Sequence, residues 1–199
     1  MPSTWLPRFG VICGVLMGLS LGPPALVEAF TGETAATSFV IGLGTAFGPP
    51  ALTALYLHHA TAAGRFGVAA YAVNVLGLTL FGAVAFSLNI VLFFLDEATA
   101  ARLLAGPTRF ALLACAVVFV AGTLLFAASM LRSRRFPRVP VYAYALSLPL
   151  LAFLARLPDT PLTSALHVIA ATTLIWLSLT AWPRDPSTRT HAYRGRATV

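Results

Sequence analysis

Charge is what this chain has least of. Only 10 % of its 199 residues are charged, while 58 % are hydrophobic. Soluble domains carry about 25 % charged residues, so this chain cannot cover a water-facing surface, and the soluble function classes drop out. Lysine is absent, and all 13 basic residues are arginines. A formal charge of +7 would point to nucleic acid in a soluble protein. Here the arginines sit between apolar runs, where membrane topology accounts for them and no nucleic-acid partner is expected. Cysteine is equally scarce. Cys13 and Cys115 lie 102 residues apart, a spacing with no metal or redox motif. Both read as small buried side chains with free thiols.

The usual catalytic signatures are missing too. There is no HExxH, GxSxG, P-loop or CxxC, and no acidic pair on one helix face. His58 and His59 share one run, and His167 falls near the opposite boundary. That scatter argues against a bis-histidine haem or a zinc site, and His58-His59 reads as an interfacial anchor. No cofactor, metal or catalytic residue is expected.

What the chain has is long apolar runs. A spanning helix needs about 20 mostly apolar residues. Six segments qualify: 9–30, 37–59, 67–95, 109–131, 139–157 and 161–182. The expected fold is therefore all-α, a six-span transmembrane bundle in one domain over 1–182. Arg8, Arg65, Arg132, Arg134, Arg135, Arg138, Arg184, Arg189, Arg194 and Arg196 fall on one side of the alternating loops. Only Arg102, Arg109 and Arg156 fall on the other, with Glu33, Asp96, Glu97 and Asp159. This asymmetry puts both termini in the cytoplasm of a bacterial inner membrane.

Segment one also reads as a signal peptide, with Arg8, the run "VICGVLMGLSLG" and "VEA" at 27–29 as n-region, h-region and cleavage site. Its length and its share in the repeat described next favour retention. The loop "DEATAARLLAGPTR" (96–109) carries a short helix, capped by Asp96 and stopped by Gly106-Pro107. The tail 183–199 is polar and basic and reads as disordered, suited to touching anionic lipid.

The stretch "GLSLGPPAL" (18–26) returns as "GTAFGPPAL" (44–52). Its prolines, Pro23, Pro24, Pro49 and Pro50, predict two helix breaks near mid-membrane. Ser20 and Thr45 stand close enough to satisfy the carbonyls so freed. Gly10, Gly14, Gly18 and Gly22 form a stripe without side chains, and Gly44 and Gly48 continue it. Small residues let helices approach closely in lipid, so segments one and two are expected to pair, glycine face to glycine face. The breaks read either as kinks in a helical hairpin or as discontinuous helices framing a transport site.

Ionisable groups at membrane depth are candidates for function. Glu28, Asn89 and His167 all fall within the outer third. Glu28 with His167 reads either as a proton-handling or ligand site or as a headgroup-zone terminus beside an interhelical hydrogen bond. Asn74, His58, His59, Tyr142 and Tyr144 fall toward the inner third.

The stretch "GTLLFAASMLRSRRFPRVPVYAYALSLPLLAFL", followed by a last helix ending "LIWLSLTAW", resembles small six-helix membrane proteins of high-GC bacteria. The resemblance covers residues 108–182 and implies a fold, not an activity. The expected role is thus an accessory protein, non-enzymatic, meeting the lipid bilayer, a membrane partner or a second copy of itself. The alternative is a small transporter or channel using the proline breaks. A continuous polar cavity would favour the transporter; a dry glycine interface would favour the accessory role.

Overall fold

The computed structural model describes residues 5–154 and 161–183. Arg156, Asp159 and the tail from 184 lie outside the described residues. Among those described there is no strand. Seven α-helices follow one another: α1 (Trp5–Thr31), α2 (Ala35–Gly44), α3 (Gly48–Phe86), α4 (Glu97–Leu104), α5 (Pro107–Ser133), α6 (Arg138–Leu154) and α7 (Pro161–Thr180). A 3₁₀ turn, Thr45–Phe47, joins α2 to α3, and a π turn, Ser87–Val91, extends α3.

Local chemistry sets the boundaries. Thr34 caps α2 through a reciprocal pair of bonds. Thr37 N donates to Thr34 Oγ1 at 3.2 Å, and Thr34 N donates to Thr37 Oγ1 at 3.0 Å. Asp96 caps α4 by accepting from Thr99 N at 2.9 Å, which gives the short loop helix its start. Helix α3 opens on Gly48-Pro49-Pro50, where a missing N–H costs nothing.

The second and third apolar segments form one helical run that reverses at Gly64. There φ is 57° and ψ is −155°, a conformation only glycine adopts without strain. The two limbs fold back on each other. Tyr56 and Tyr71 stack at 4.5 Å, and the Thr53 and Tyr71 hydroxyls lie 2.9 Å apart. Counting each limb of this hairpin, the bundle has six long rods. Four helical stretches are long and apolar enough to cross a membrane: Trp5–Thr31, Ala35–Phe94, Pro107–Ser133 and Leu162–Thr180. Arg138–Leu154 is apolar but shorter. Leu19, Leu76, Leu124, Leu146, Ile169 and Leu179 stay exposed on the outside of the bundle. The core holds Leu55, Phe119, Phe126, Met130, Val141 and Leu177.

Helix α1 runs antiparallel to the first limb of the hairpin and also to α7. Its glycine stripe divides between them. A Cβ on Gly10 would strike Pro50 O and Ala54, one on Gly14 would strike the Ser178 hydroxyl, and one on Gly18 would lie 2.5 Å from Ile175 Cγ1. One on Gly22 would lie 2.9 Å from Ala171 Cβ. The expected glycine-on-glycine pairing of segments one and two is therefore corrected. Segment one does touch segment two, but most of its stripe receives α7. In segment two, Gly44 receives Ser20, and Gly48 faces Leu78 and Met17. A glycine face accepts a neighbour's side chain more readily than a second bare face, because two bare faces leave no atoms to make contact.

The two proline pairs also differ. Helix α1 continues through Pro23 and Pro24, so the first expected break is absent. The second is present as the 3₁₀ turn before Pro49 and Pro50. Ser20 and Thr45 do not serve the carbonyls freed by proline. Ser20 Oγ donates to Met17 O at 2.9 Å, and Thr45 Oγ1 to Gly42 O at 2.7 Å.

Candidate ligand-binding cavity

The rods do not close everywhere. A cavity of about 230 Å³ lies among α1, α2, α3, α5, α6 and α7. At its deep end stand Met17, Leu21, Leu78, Phe81, Phe119 and Leu148, and toward the α1–α2 turn stand Glu28, Asn89, Thr163 and His167. Residues far apart in the chain, singled out for charge or polarity at membrane depth, thus line one space.

Each reaches the cavity for a local reason. Glu28 is buried on the last turns of α1, 8 % exposed. Asn89 is turned inward by the π turn, whose extra residue rotates the helix face. Its Nδ2 donates to Ala85 O at 2.8 Å. The π turn packs on α2 where Gly42 leaves room for Ile90 and for Asn89 Cβ. In α7, His167 Nδ1 donates to Thr163 O at 2.8 Å, so in the neutral ring Nε2 is the acceptor. Ser20 and Thr45 line the wall between α1 and the 3₁₀ turn. Phe81 and Phe119 stack at 4.5 Å with planes 8° apart, forming an aromatic wall. A shallower apolar groove under α4 shares Val84, Leu88 and Leu112 with the cavity.

Gly82 lines the cavity as well. A Cβ there would lie 3.6 Å from Thr45 Cβ, an ordinary contact. Gly77 and Gly122 belong instead to the tightest crossing, between α3 and α5. A Cβ on Gly77 would come within 2.6 Å of Phe119 Cα.

Behind that crossing lies a second polar group. Asn74 Nδ2 donates to Tyr144 Oη at 2.9 Å, and Thr123 Oγ1 donates to Asn74 Oδ1 at 3.4 Å. His59 is fully buried rather than interfacial, which corrects the anchor reading for that residue. Its Nδ1 donates to Leu55 O at 2.7 Å, and its Nε2 lies 3.2 Å from Ser129 Oγ, placed to accept that hydroxyl's proton. Phe126 and Phe136 pack edge-on against the ring. These bonds join helices and leave little room beside them, so they read as interhelical ties.

The sequence reading grouped Glu28, Asn89 and His167 by depth but missed the apolar end of the cavity. It also missed the α3–α5 crossing, because Gly77 and Gly122 belong to no repeat. The available signal was a glycine near a buried polar residue on each of two helices, Asn74 with Gly77 and Gly122 with Thr123. Among the described residues no three His, Cys, Asp or Glu side chains gather as a metal-binding group, and both cysteines are free. Comparison with protein-family models, with characterised proteins and with solved structures finds no match to this chain.

Proposed function

We propose that this is a multi-pass membrane protein that binds a small molecule within its helical bundle, with a transporter-like rather than an accessory role. The observation that carries the reading is the cavity itself. It combines an apolar end with polar side chains from three separate helices, the pattern of ligand sites in general. Such sites usually measure about 300–1,000 Å³, so a cavity of about 230 Å³ suits a compact ligand. The interrupted helix beside it supports a moving part. The 3₁₀ turn at Thr45–Phe47 separates α2, which walls the cavity, from the body of α3.

The six rods cross a bacterial inner membrane in this reading, with both termini in the cytoplasm. The exposed leucines and the arginine asymmetry support that placement. The cavity then opens toward the outer face. Helix α1 belongs to the bundle and stays uncleaved, because its glycines seat α7 and α3. The same glycines are consumed inside the chain, so the stripe is not what would recruit a second copy or a partner.

Thermal unfolding in detergent with compact amphipathic probes tests the binding reading. A ligand at 100 times its Kd stabilises by about 2.7 kcal/mol. Gly82→Phe fills the cavity from a position with room for a side chain, and should abolish that stabilisation while the fold persists. If no probe stabilises the wild type more than Gly82→Phe, the reading fails.

A further inference from the structure

Resting on the ligand-binding reading above, we infer that the cavity selects a protonated amine carried on a compact apolar body. The argument comes from which hydrogen-bonding atoms the lining has left to offer. Ser20 and Thr45 each own one hydroxyl proton. Both spend it on a carbonyl of their own helix, Met17 O at 2.9 Å and Gly42 O at 2.7 Å. A hydroxyl whose proton is engaged meets a ligand only through its lone pairs. Asn89 turns its donating amide nitrogen to Ala85 O, leaving the acceptor oxygen as its other half. His167 commits Nδ1–H to Thr163 O.

The backbone adds to the same side. Pro24 supplies no N–H to the Ser20 carbonyl one turn earlier, and Ser20 lines the cavity. Two carboxylates, Glu28 and Glu33, line it too, and among its described lining residues there is no arginine. Acceptors and negative charge thus dominate the polar end. A ligand that brings N–H donors and positive charge matches this surface, while a carboxylate meets like charge and lone pairs. The other end fixes the body. Met17, Leu21, Leu78, Leu148 and the Phe81–Phe119 pair accept an aromatic or aliphatic group of a few carbons.

Three probes with nearly the same body separate the possibilities: phenethylamine, 2-phenylethanol and phenylacetate. Binding is measured by titration on the full chain in detergent, with Gly82→Phe subtracting partition into micelles. The expected result is an amine Kd at least tenfold below that of the alcohol, with phenylacetate weakest. Glu28→Gln should weaken the amine about tenfold and leave the alcohol unchanged. Should Glu28→Gln not fold, Glu33→Gln at the exposed rim carries the same test with a smaller effect. If the alcohol or the acid binds as tightly as the amine, the amine inference is overturned and the cavity reading stands. If none of the three binds above the Gly82→Phe background, both are overturned.

Discussion

Replacing Gly122 by alanine adds one methyl group where the structure has no room for it. That Cβ would lie 2.5 Å from Asn74 Cα and 2.9 Å from Asn74 N and Val73 O. These are backbone atoms, so no change of rotamer relieves the contact. Carbon contacts settle at about 3.5–4.0 Å, so α3 and α5 must part by about 1 Å at this level. The separation reaches past the methyl. The Thr123–Asn74 bond is already 3.4 Å long and would be lost, and the 2.9 Å Asn74–Tyr144 bond would stretch. Overpacking costs about 1–3 kcal/mol, and an interhelical hydrogen bond in a membrane protein adds about 0.6 kcal/mol. Alanine recovers up to about 1 kcal/mol as a better helix former than glycine. The net expectation is a loss of about 1–2.5 kcal/mol. Gly82→Ala is the control, because its Cβ meets Thr45 Cβ at 3.6 Å and only the helix gain remains. Denaturant titration of both variants in one detergent reads the difference. If Gly122→Ala matches the wild type, or Gly82→Ala loses as much, the packing argument is wrong.

Three further outcomes are expected. Gly18→Leu should destabilise through α7, where Ile175 Cγ1 and Ala171 O lie 2.5 and 2.8 Å from the added carbon. Ile175→Ala should recover part of that loss in a double-mutant cycle, and zero coupling would move the stripe's partner elsewhere. In a background lacking Cys13 and Cys115, a cysteine at position 135 should react with impermeant reagents only from the cytoplasm and one at 98 only from outside; the reverse would invert the proposed orientation. Hydrogen bonds from the Thr99 backbone and hydroxyl hold the Asp96 carboxyl below its ordinary value. Its capping contribution is then complete above the usual carboxylate range and fades as pH falls through the lowered value. Amide exchange over α4 should accelerate only at that acid limit, and Asp96→Ala should show fast exchange at every pH.

Hydropathy made the rods legible, because a rod facing lipid must be apolar along its length whatever it packs against. The loop helix was equally legible, since Asp96, Glu97 and Gly106 act locally. Partners were not. Four glycines at spacing four announce a face, but the same bare face fits Ala54 on α3 and Ile175 on α7. Only the path of the whole chain chooses between them. The repeated G-x-x-x-G-P-P-A-L frame illustrates the limit. One copy continues as helix through Pro23, and the other breaks before Pro49. Identical local chemistry yields two outcomes because proline is cheap at a helix start and costly inside one. For the candidate site, depth alone grouped Glu28, Asn89 and His167. The apolar end stayed hidden because nothing in a row of leucines marks which of them face a void.

The cavity and the tight crossings have a common origin. Helix α1 is held to α7 at Gly14, Gly18 and Gly22, and α3 is held to α5 at Gly77 and Gly122. At those levels the paired helices approach as closely as backbones allow. Past Gly22 and Ala171, side chains replace hydrogen on both faces, and Glu28, Thr163 and His167 take the positions where contact would continue. Past Gly77 the α3–α5 pair likewise opens onto Phe81, Ala85 and Leu112. Helices that touch at one level and carry larger groups beyond it must diverge, and the space between two diverging pairs is the cavity. It follows that stability and ligand binding are not independent in this bundle. Phe119, whose backbone limits the approach of Gly77, also supplies the cavity's aromatic wall. A substitution that parts α3 from α5 therefore moves that wall, so Gly77→Ala should weaken amine binding as well as lower stability, although residue 77 is not among those lining the cavity. A Gly77→Ala variant that loses stability yet binds phenethylamine as the wild type does would separate the crossing from the cavity and refute their common origin.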